Sequence, residues 1–225
     1  MANLNMPITL KLQQNRKQIS DVIAKSAYKA FVKRISKQSV RRNIDIQSRR
    51  ILEESLKSQD TYTEMVEQDG ELRRELGVAE SASAMNQLVQ AWVDSTTVTI
   101  VPPKIAGNKI SGVILTITAI YADFKDVINQ AYASYTTEKG KNIPWLDWLL
   151  TRGSEFLIKG YDAEVSEKFG SVSRTGTNTI MVRTKGNAWG VPEEYSGIPT
   201  DNYATKAVAA ALPQIEEVIK KELLR

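Results

Sequence analysis

The apolar periodicity of this chain changes once, near Thr96, and that change limits the folds open to it. Before Thr96, apolar residues recur every three or four positions, as on one face of a helix. After it, "TTVTIVP" and "GVILTITAIYA" alternate polar and apolar residues, as half-buried strands do. A helical region followed by a strand-rich region is typical of an α+β fold. We therefore divide the chain into a mainly helical region, 1–95, and an α+β region, 96–225, and expect one compact domain.

Four helices are predicted in the first region. The first two cover residues 15–37 and about 46–57. A short third helix ends at Gly77, because glycine suits a left-handed cap, and a fourth follows in "AESASAMNQLVQAWVDS". The predicted apolar stripe of the first helix consists of Ile19, Ile23, Ala27, Ala30, Phe31 and Ile35.

The second region is expected to contain four strands and three helices. Beyond the two alternating stretches, "EFLIKGYDAEV" and "NTIMVRT" are predicted strands joined by the polar loop "FGSVSRTGT". Residues 122–137 look helical, and Pro144 opens a short helix that ends at Gly153. The last helix begins near Asp201, with Asp201 or Asn202 as its cap. Its predicted apolar face consists of Val208, Leu212, Ile215, Ile219 and Leu223.

The chain has no cysteine and no histidine, and their absence narrows its chemistry. Without cysteine, disulfides, thiolate metal sites and cysteine nucleophiles are excluded. Without histidine, the commonest general base and metal ligand is missing. A hydrolase with a lysine-activated serine stays open, although no serine–lysine pair stands out. We predict a protein that is not an enzyme, with no catalytic residue, no metal and no cofactor.

Two other sequence features resemble functional sites. The stretch "GSVSRTG" is rich in glycine and serine but lacks the lysine and the spacing of a phosphate-binding loop, so a surface hairpin is favoured. Three adjacent acidic pairs do not converge as catalytic carboxylates must, so solvated surface is favoured for them. They are Glu53–Glu54, Glu193–Glu194 and Glu216–Glu217.

Charge is distributed unevenly along the chain. Residues 1–50 contain twelve Lys or Arg and two Asp, a net charge of +10, whereas the other residues contain eighteen and twenty-four, a net charge of −6. Such a split suggests an acidic partner for the first segment. A solvated or protein-docking face is favoured over DNA binding, because no DNA-reading motif is visible. The basic residues concerned are Lys25, Lys29, Lys33, Lys37, Arg41 and Arg42.

No apolar run approaches the roughly 20 residues that span a bilayer. The first residues, "MANLNMPITLKLQQ", lack the apolar stretch of a signal peptide. We therefore expect no membrane association and a cytoplasm-like compartment.

Two tryptophans stand close together in "PWLDWLL". Trp145, Leu146, Trp148 and Leu149 surround most of the helix, so it needs cover on several sides. The helix either fills the core or presents one tryptophan to another subunit, where tryptophan is enriched.

Four segments of the chain together resemble a known family. They are "SQDTYTEMVEQDGELRRELGV", "IPWLDWLLTRGSEFLIKGYDAEV", "SRTGTNTIMV" and "WGVPEEYSGIPTDNYATKAV". In this order they resemble the neck proteins of tailed bacteriophages, namely the head–tail connector or tail-completion proteins of contractile-tailed phages. The resemblance covers about residues 50–225, and the basic segment before it matches less distinctly.

The resemblance implies a fold, an oligomeric assembly and a location in the virion. The fold is a small twisted antiparallel sheet packed against a long N-terminal helix and a C-terminal helix, here with extra N-terminal helices. The assembly is a homo-oligomeric ring, commonly of six subunits, between the portal or its adaptor and the tail terminator or tail tube. Genome DNA would pass through its channel. The expected location is the virion neck, after assembly in the host cytoplasm.

From the charge split, the missing chemistry and the resemblance, we expect a structural virion protein. The tryptophan helix, the loop 169–177 and the segment 189–203 would make subunit contacts, and the N-terminal helices would meet the portal side or line the channel. The alternative is a DNA-binding module that uses the basic helices. The predicted subunit or partner contacts are Trp145, Trp148, Phe169, Arg174, Trp189, Tyr195 and Tyr203.

Overall fold

The computed structural model confirms an α+β fold. It describes residues 16–101, 104–106, 109–110, 114–118, 124–136, 140–153, 155–166, 168 and 179–224. Helices dominate its first half, and antiparallel strands and three further α-helices make up most of the second. The helices are α1 (Arg16–Ile35), α2 (Gln38–Lys57), α3 (Asp60–Val66), α4 (Glu71–Leu76), α5 (Ser81–Ser95), α6 (Lys125–Ile128), α7 (Trp145–Thr151) and α8 (Tyr203–Leu224).

Helix α2 is the centre of the packing, since α8 and α5 both lie against it. It begins eight residues before the predicted start near Ile46, because Val40 and Ile44 extend its buried face toward the N-terminus. Its Ser55 hydroxyl donates a buried hydrogen bond of 2.7 Å to the carbonyl of Ala207 in α8. This hydrogen bond joins α2 to α8 within their buried interface.

The apolar face of α8 differs from the predicted one in its first half. Ile215, Ile219 and Leu223 are buried as expected, but Leu212 is 43% exposed. Ala204, Ala207 and Ala211 are buried in its place. The small side chains face α2, where the two helices are joined through Ser55.

Helix α1 is rotated relative to the predicted stripe. Phe31 and Ile35 face the protein as expected, together with Ala24, whereas Ile23 is 63% exposed and Ala27 and Ala30 are also exposed. Apolar residues occur on all sides of this helix, so the sequence did not distinguish the buried face. The helix packs against α2, α8 and the short ladder formed by residues 105–106 and 109–110.

Helices α4 and α5 confirm the two predicted helices of this stretch, and α3 is an additional helix. The predicted cap at Gly77 is confirmed by a left-handed φ of 65°, and α5 buries Met85, Leu88, Val89 and Trp92. Helix α3 was not predicted as a separate element. Gly70 leaves no room for a side chain, since an added Cβ would lie 1.9 Å from the carbonyl oxygen of Glu64.

The described strands pair as four separate antiparallel ladders of two strands each. β1 pairs with β4 with Thr97 opposite Thr118, and β7 pairs with β8 with Ile158 opposite Trp189. The strands are β1 (Thr97–Val101), β2 (Ile105–Ala106), β3 (Lys109–Ile110), β4 (Ile114–Thr118), β5 (Tyr135–Thr136), β6 (Asn142–Ile143), β7 (Ile158–Val165) and β8 (Thr179–Trp189).

The long ladder of β7 and β8 contains an irregularity. Lys159 lies opposite Ala188 but Tyr161 lies opposite Arg183, so β8 places four residues, 184–187, against Gly160 alone. Gly160 and Gly186 both have a positive φ, of 77° and 88°. β8 therefore arches away from its partner at this point.

The helix predicted over residues 122–137 is wrong for most of that range. In the described part, from Phe124 onward, only the four residues of α6 are α-helical, a 3-10 turn follows at Ala131–Ala133, and β5 begins at Tyr135. The side-chain amides of Asn129 and Gln130 donate to the carbonyls of Lys125 and Asp126. These side-chain bonds compete with backbone bonds and end the helix after one turn.

Candidate functional site

Trp189, at the end of β8, joins three parts of the chain that are far apart in sequence. Its indole N–H donates a 3.1 Å hydrogen bond to the carboxylate of Glu75 in α4. Its ring lies 6.1 Å from the ring of Trp148 in α7, and its carbonyl accepts a 2.8 Å hydrogen bond from the Leu157 N–H. Three of the four segments that carry the family resemblance therefore meet at one side chain.

The connector between β8 and α8 is held by Asn202, which is 1% exposed. Its side-chain amide donates to the carbonyls of Leu150 and Ile198, at 3.2 and 2.9 Å. Its side-chain oxygen accepts from the N–H groups of Ala204 and Thr205, both at 3.1 Å, and so caps α8. One asparagine thus fixes the start of α8 to the end of α7.

Gly197 allows the connector to approach α7 closely. An added Cβ there would lie 2.4 Å from the Cβ of Asn202 and 2.9 Å from the carbonyl oxygen of Leu149. The Gly197 carbonyl accepts a 2.8 Å hydrogen bond from Gly153 N–H. The segment "YSGIPTDN" is therefore a fixed part of the packing against α7.

Carboxylates surround the side of the molecule on which Trp189 and Tyr195 lie. The negative charges of Asp60, Glu64, Glu71 and Glu194 raise the pKa of the Tyr195 hydroxyl, and those of Glu71 and Glu194 also raise the pKa of Glu75. We call these five carboxylates the acidic face: Asp60, Glu64, Glu71, Glu75 and Glu194. The region 60–76 alone contains six acidic residues and two arginines. The acidic face therefore has a negative charge that its own arginines do not balance.

The pKa values of two residues in this region reflect burial and accumulated negative charge. Burial raises the pKa of Glu75 above its ordinary value, the hydrogen bond from Trp189 lowers it, and the charges of Glu71 and Glu194 raise it again. Burial also raises the pKa of the Tyr195 hydroxyl, and the carboxylates around it raise that pKa further.

Helix α1 presents the opposite character. We call its outward side the basic face, made of Val22, Ile23, Lys25, Lys29 and Lys33. Val22 and the three lysines stand at positions i, i+3, i+7 and i+11, so they share one side of the helix. Val22 and Ile23 are 59% and 63% exposed. Within the described ranges, no carboxylate forms an ion pair with any of these lysines.

The other predicted basic residues, Lys37, Arg41 and Arg42, are also exposed. The Arg41 guanidinium donates to the Ile35 carbonyl at 2.8 Å, at the end of α1. Arg42 lines an open groove of about 420 Å³ on α2, together with the half-exposed side chain of Ile46. Basic and apolar groups are thus exposed side by side on both N-terminal helices.

The structure separates the predicted contact residues into two groups. Trp145, Trp189 and Tyr203 are 0, 5 and 4% exposed, so within one chain they are core residues. The Trp145 indole donates to the carbonyl of Tyr132 at 3.0 Å. Trp148 and Tyr195 are only half-buried, and their contact role stays a prediction. Phe169, Arg174 and the loop 169–177 lie outside the described residues.

Sequence reasoning missed the acidic face as a surface. Its members come from α3, α4 and the connector, and Glu194 is 119 positions from Glu75, so only the folded chain brings them together. A local signal existed in the excess of acidic residues between Asp60 and Glu75. The pair Glu193–Glu194 was interpreted as solvated surface, and both residues are exposed.

Within the part of the chain that the structure describes, no helix has the length and hydrophobicity to cross a membrane. The same residues contain no cluster of three or more potential metal-binding side chains.

Comparison of the chain with protein-family models, with curated proteins and with solved structures gave no match.

Proposed function

We propose that this chain is a structural protein of a bacteriophage neck, which forms a ring that joins the portal or its adaptor to the tail. The observation that supports this most is the pair of oppositely charged faces on separate elements. A ring subunit uses two different surfaces, one for each neighbour, and these surfaces must complement each other. The basic face on α1 and the acidic face around Tyr195 meet that requirement.

The family resemblance supports the same proposal. Its segments include α3 and α4, α7 and β7, and the connector into α8, and these pack on one another through Trp189 and Asn202. Residues that resemble one family and also form one packed unit are stronger support than isolated matching stretches.

The proposal is tested on particles of the phage that encodes the chain. Mass spectrometry of purified virions should detect the chain, and electron microscopy should locate it as a ring at the head–tail junction. Native mass spectrometry of the purified protein should detect oligomers. A chain that is absent from virions, or that lies elsewhere in them, contradicts the proposal.

A second candidate function is DNA binding by α1 and α2. The observation that favours it is the exposed row Lys25, Lys29 and Lys33, which no described carboxylate neutralises. Binding to phosphates would release counterions, so affinity for duplex DNA would fall steeply with salt.

The test of DNA binding compares two triple variants by fluorescence anisotropy over a salt series. Replacing Lys25, Lys29 and Lys33 with glutamate should abolish binding, whereas glutamates at Lys159, Lys185 and Lys221, which are exposed on other elements, should leave most of it. Equal loss in both triple variants would indicate a nonspecific charge effect and contradict a site on α1.

A further inference from the structure

We propose that the basic face of one copy docks on the acidic face of the next copy, in a head-to-tail contact. This inference rests on the proposed function and specifies which surfaces of the ring subunit meet. Its partner is a second copy of this chain.

The basic face lacks a partner within the described chain. Helix α1 packs on α2, α8 and the β2–β3 ladder through the side that holds Ala24, Phe31 and Ile35. The opposite side exposes Val22 in line with the lysines, and the exposed Ile23 lies beside that row. Apolar groups surrounded by charges are typical of an interaction surface.

The acidic face has the matching composition. Tyr195 and Trp148 supply half-buried aromatic surface. The nearby negative charges of Glu64, Glu71 and Glu194 raise the pKa of the Tyr195 hydroxyl. Aromatic groups ringed by charge are frequent at the centre of protein contacts.

Charge complementarity identifies the occupant. The three lysines of the basic face carry positive charge that is not neutralised in the described chain. On the acidic face, Asp60, Glu71 and Glu194 are exposed and form no ion pair within the described residues. The two faces are built from different elements, α1 on one side and α3, α4 and the connector on the other. A contact between two copies therefore uses the basic face of one and the acidic face of the other, and leaves one face of each copy free. Such a contact is heterologous.

Two charge-reversal variants test this contact. One is Lys25→Glu with Lys29→Glu on the basic face, and the other is Glu71→Lys with Glu194→Lys on the acidic face. All four side chains are exposed, so neither variant should alter the fold, which circular dichroism checks. We expect each variant to self-associate at least about tenfold more weakly than the wild type in sedimentation velocity at low salt.

Mixing the two variants gives the most specific result. Each keeps one intact face, and the two reversed faces also complement each other, so a head-to-tail contact predicts that the mixture assembles beyond the dimer with the two variants in alternation, detected by native mass spectrometry. A contact in which the same face meets itself would stop at a 1:1 dimer, because that dimer uses up the face. A chain with all four reversals should regain the association of the wild type, because both faces exchange sign.

The control variants change the same net charge elsewhere. They are Lys185→Glu with Lys221→Glu, and Glu164→Lys with Glu216→Lys, all at exposed positions. These should associate as the wild type does. Equal weakening in the controls, or a mixture that does not assemble beyond a dimer, overturns the inference.

Failure of this inference is distinguishable from failure of the proposed function. If the chain forms rings in virions but the charge-reversed variants assemble normally, another surface makes the contact and the neck function stands. If the Lys25 and Lys29 variant loses only DNA binding, the basic face serves nucleic acid and the docking inference is overturned. A wild-type chain that stays monomeric at all concentrations also overturns it.

Discussion

Trp189 and Glu75 are joined by a hydrogen bond of 3.1 Å across 114 positions of sequence. The indole is 5% exposed, and its N–H has this carboxylate as partner at the edge of the acidic face. A single bond thus connects the end of β8 to the carboxylate of Glu75 in α4.

Replacing Glu75 with glutamine is expected to remove a pH dependence of stability. Burial raises the pKa of Glu75 in the folded chain above its ordinary value of 4.5, so the folded state holds the proton more tightly than the unfolded state. The stabilising contribution is therefore present below pH 4.5 and is lost as pH rises through the folded pKa. The glutamine amide keeps an oxygen acceptor for Trp189 without the charge. At neutral pH the variant should equal or exceed the wild type in urea denaturation.

Comparison across pH and with leucine completes this prediction. Below pH 4.5 the stabilities of wild type and Glu75→Gln should converge. Glu75→Leu leaves the Trp189 N–H without its partner and should be less stable than the glutamine variant by about 1–2 kcal/mol. A difference between wild type and glutamine that does not vary with pH would contradict the raised pKa.

Asn202→Ala should destabilise the fold by about 2–3 kcal/mol, because it removes the cap of α8 and leaves the buried Leu150 carbonyl without this donor. Asp201→Ala is the matched control at the neighbouring position. The Asp201 side chain is exposed and reaches Lys206 only at 3.7 Å, so its loss should change stability by less than about 0.5 kcal/mol. Equal effects in chemical denaturation would mean that Asn202 is not the anchor.

Gly197→Ala should cost about 1–3 kcal/mol, because its methyl group would overlap Asn202 and the Leu149 carbonyl. Gly186→Ala provides the comparison, since its φ of +88° is unfavourable for alanine but nothing lies within 4 Å of the new Cβ. Its cost should be about 1 kcal/mol, from backbone strain alone. Thermal unfolding of both variants separates steric overlap from strain, and a smaller loss at Gly197 would rule out the close approach.

Two isoleucines on α2 should respond differently to truncation. Ile44 is 0% exposed, and Ile44→Ala should cost about 2–5 kcal/mol by leaving a cavity in the core. Ile46, two residues later, is 48% exposed, and Ile46→Ala should cost less than about 1 kcal/mol. The free energies of unfolding of the two variants, measured by chemical denaturation, show which side of α2 is buried. A similar cost at both positions would contradict the orientation of α2 described above.

Local signals predicted the elements whose structure is decided locally. Gly77 ends α4 in the left-handed conformation because glycine has no Cβ to clash there. Asn202 caps α8, and α5 buries one regular apolar side that includes Trp92. In each case the residue type and its immediate neighbours contain the information.

Other features depend on tertiary contacts, and the sequence pattern did not determine them. Helix α1 has apolar residues on every side, so its orientation follows from where α2 and α8 lie. The short α6 ends because Asn129 and Gln130 bond to backbone carbonyls, an outcome that helical periodicity does not reveal. Trp189 looked like a contact residue, but the partners that bury it come from α4 and α7.

The arch of β8 over residues 184–187 has a consequence for how the hairpin meets other chains. A long, straight strand edge is a template on which foreign strands can add without limit. Within the described residues, β7 and β8 pair only with each other, so their outer edges are of this kind. The arch divides the β8 edge into a segment before Thr184 and a shorter one after Asn187. At the β8 edge, an intruding strand would find a continuous run of bonding groups only on one side of the arch, so the arch limits strand addition at this edge.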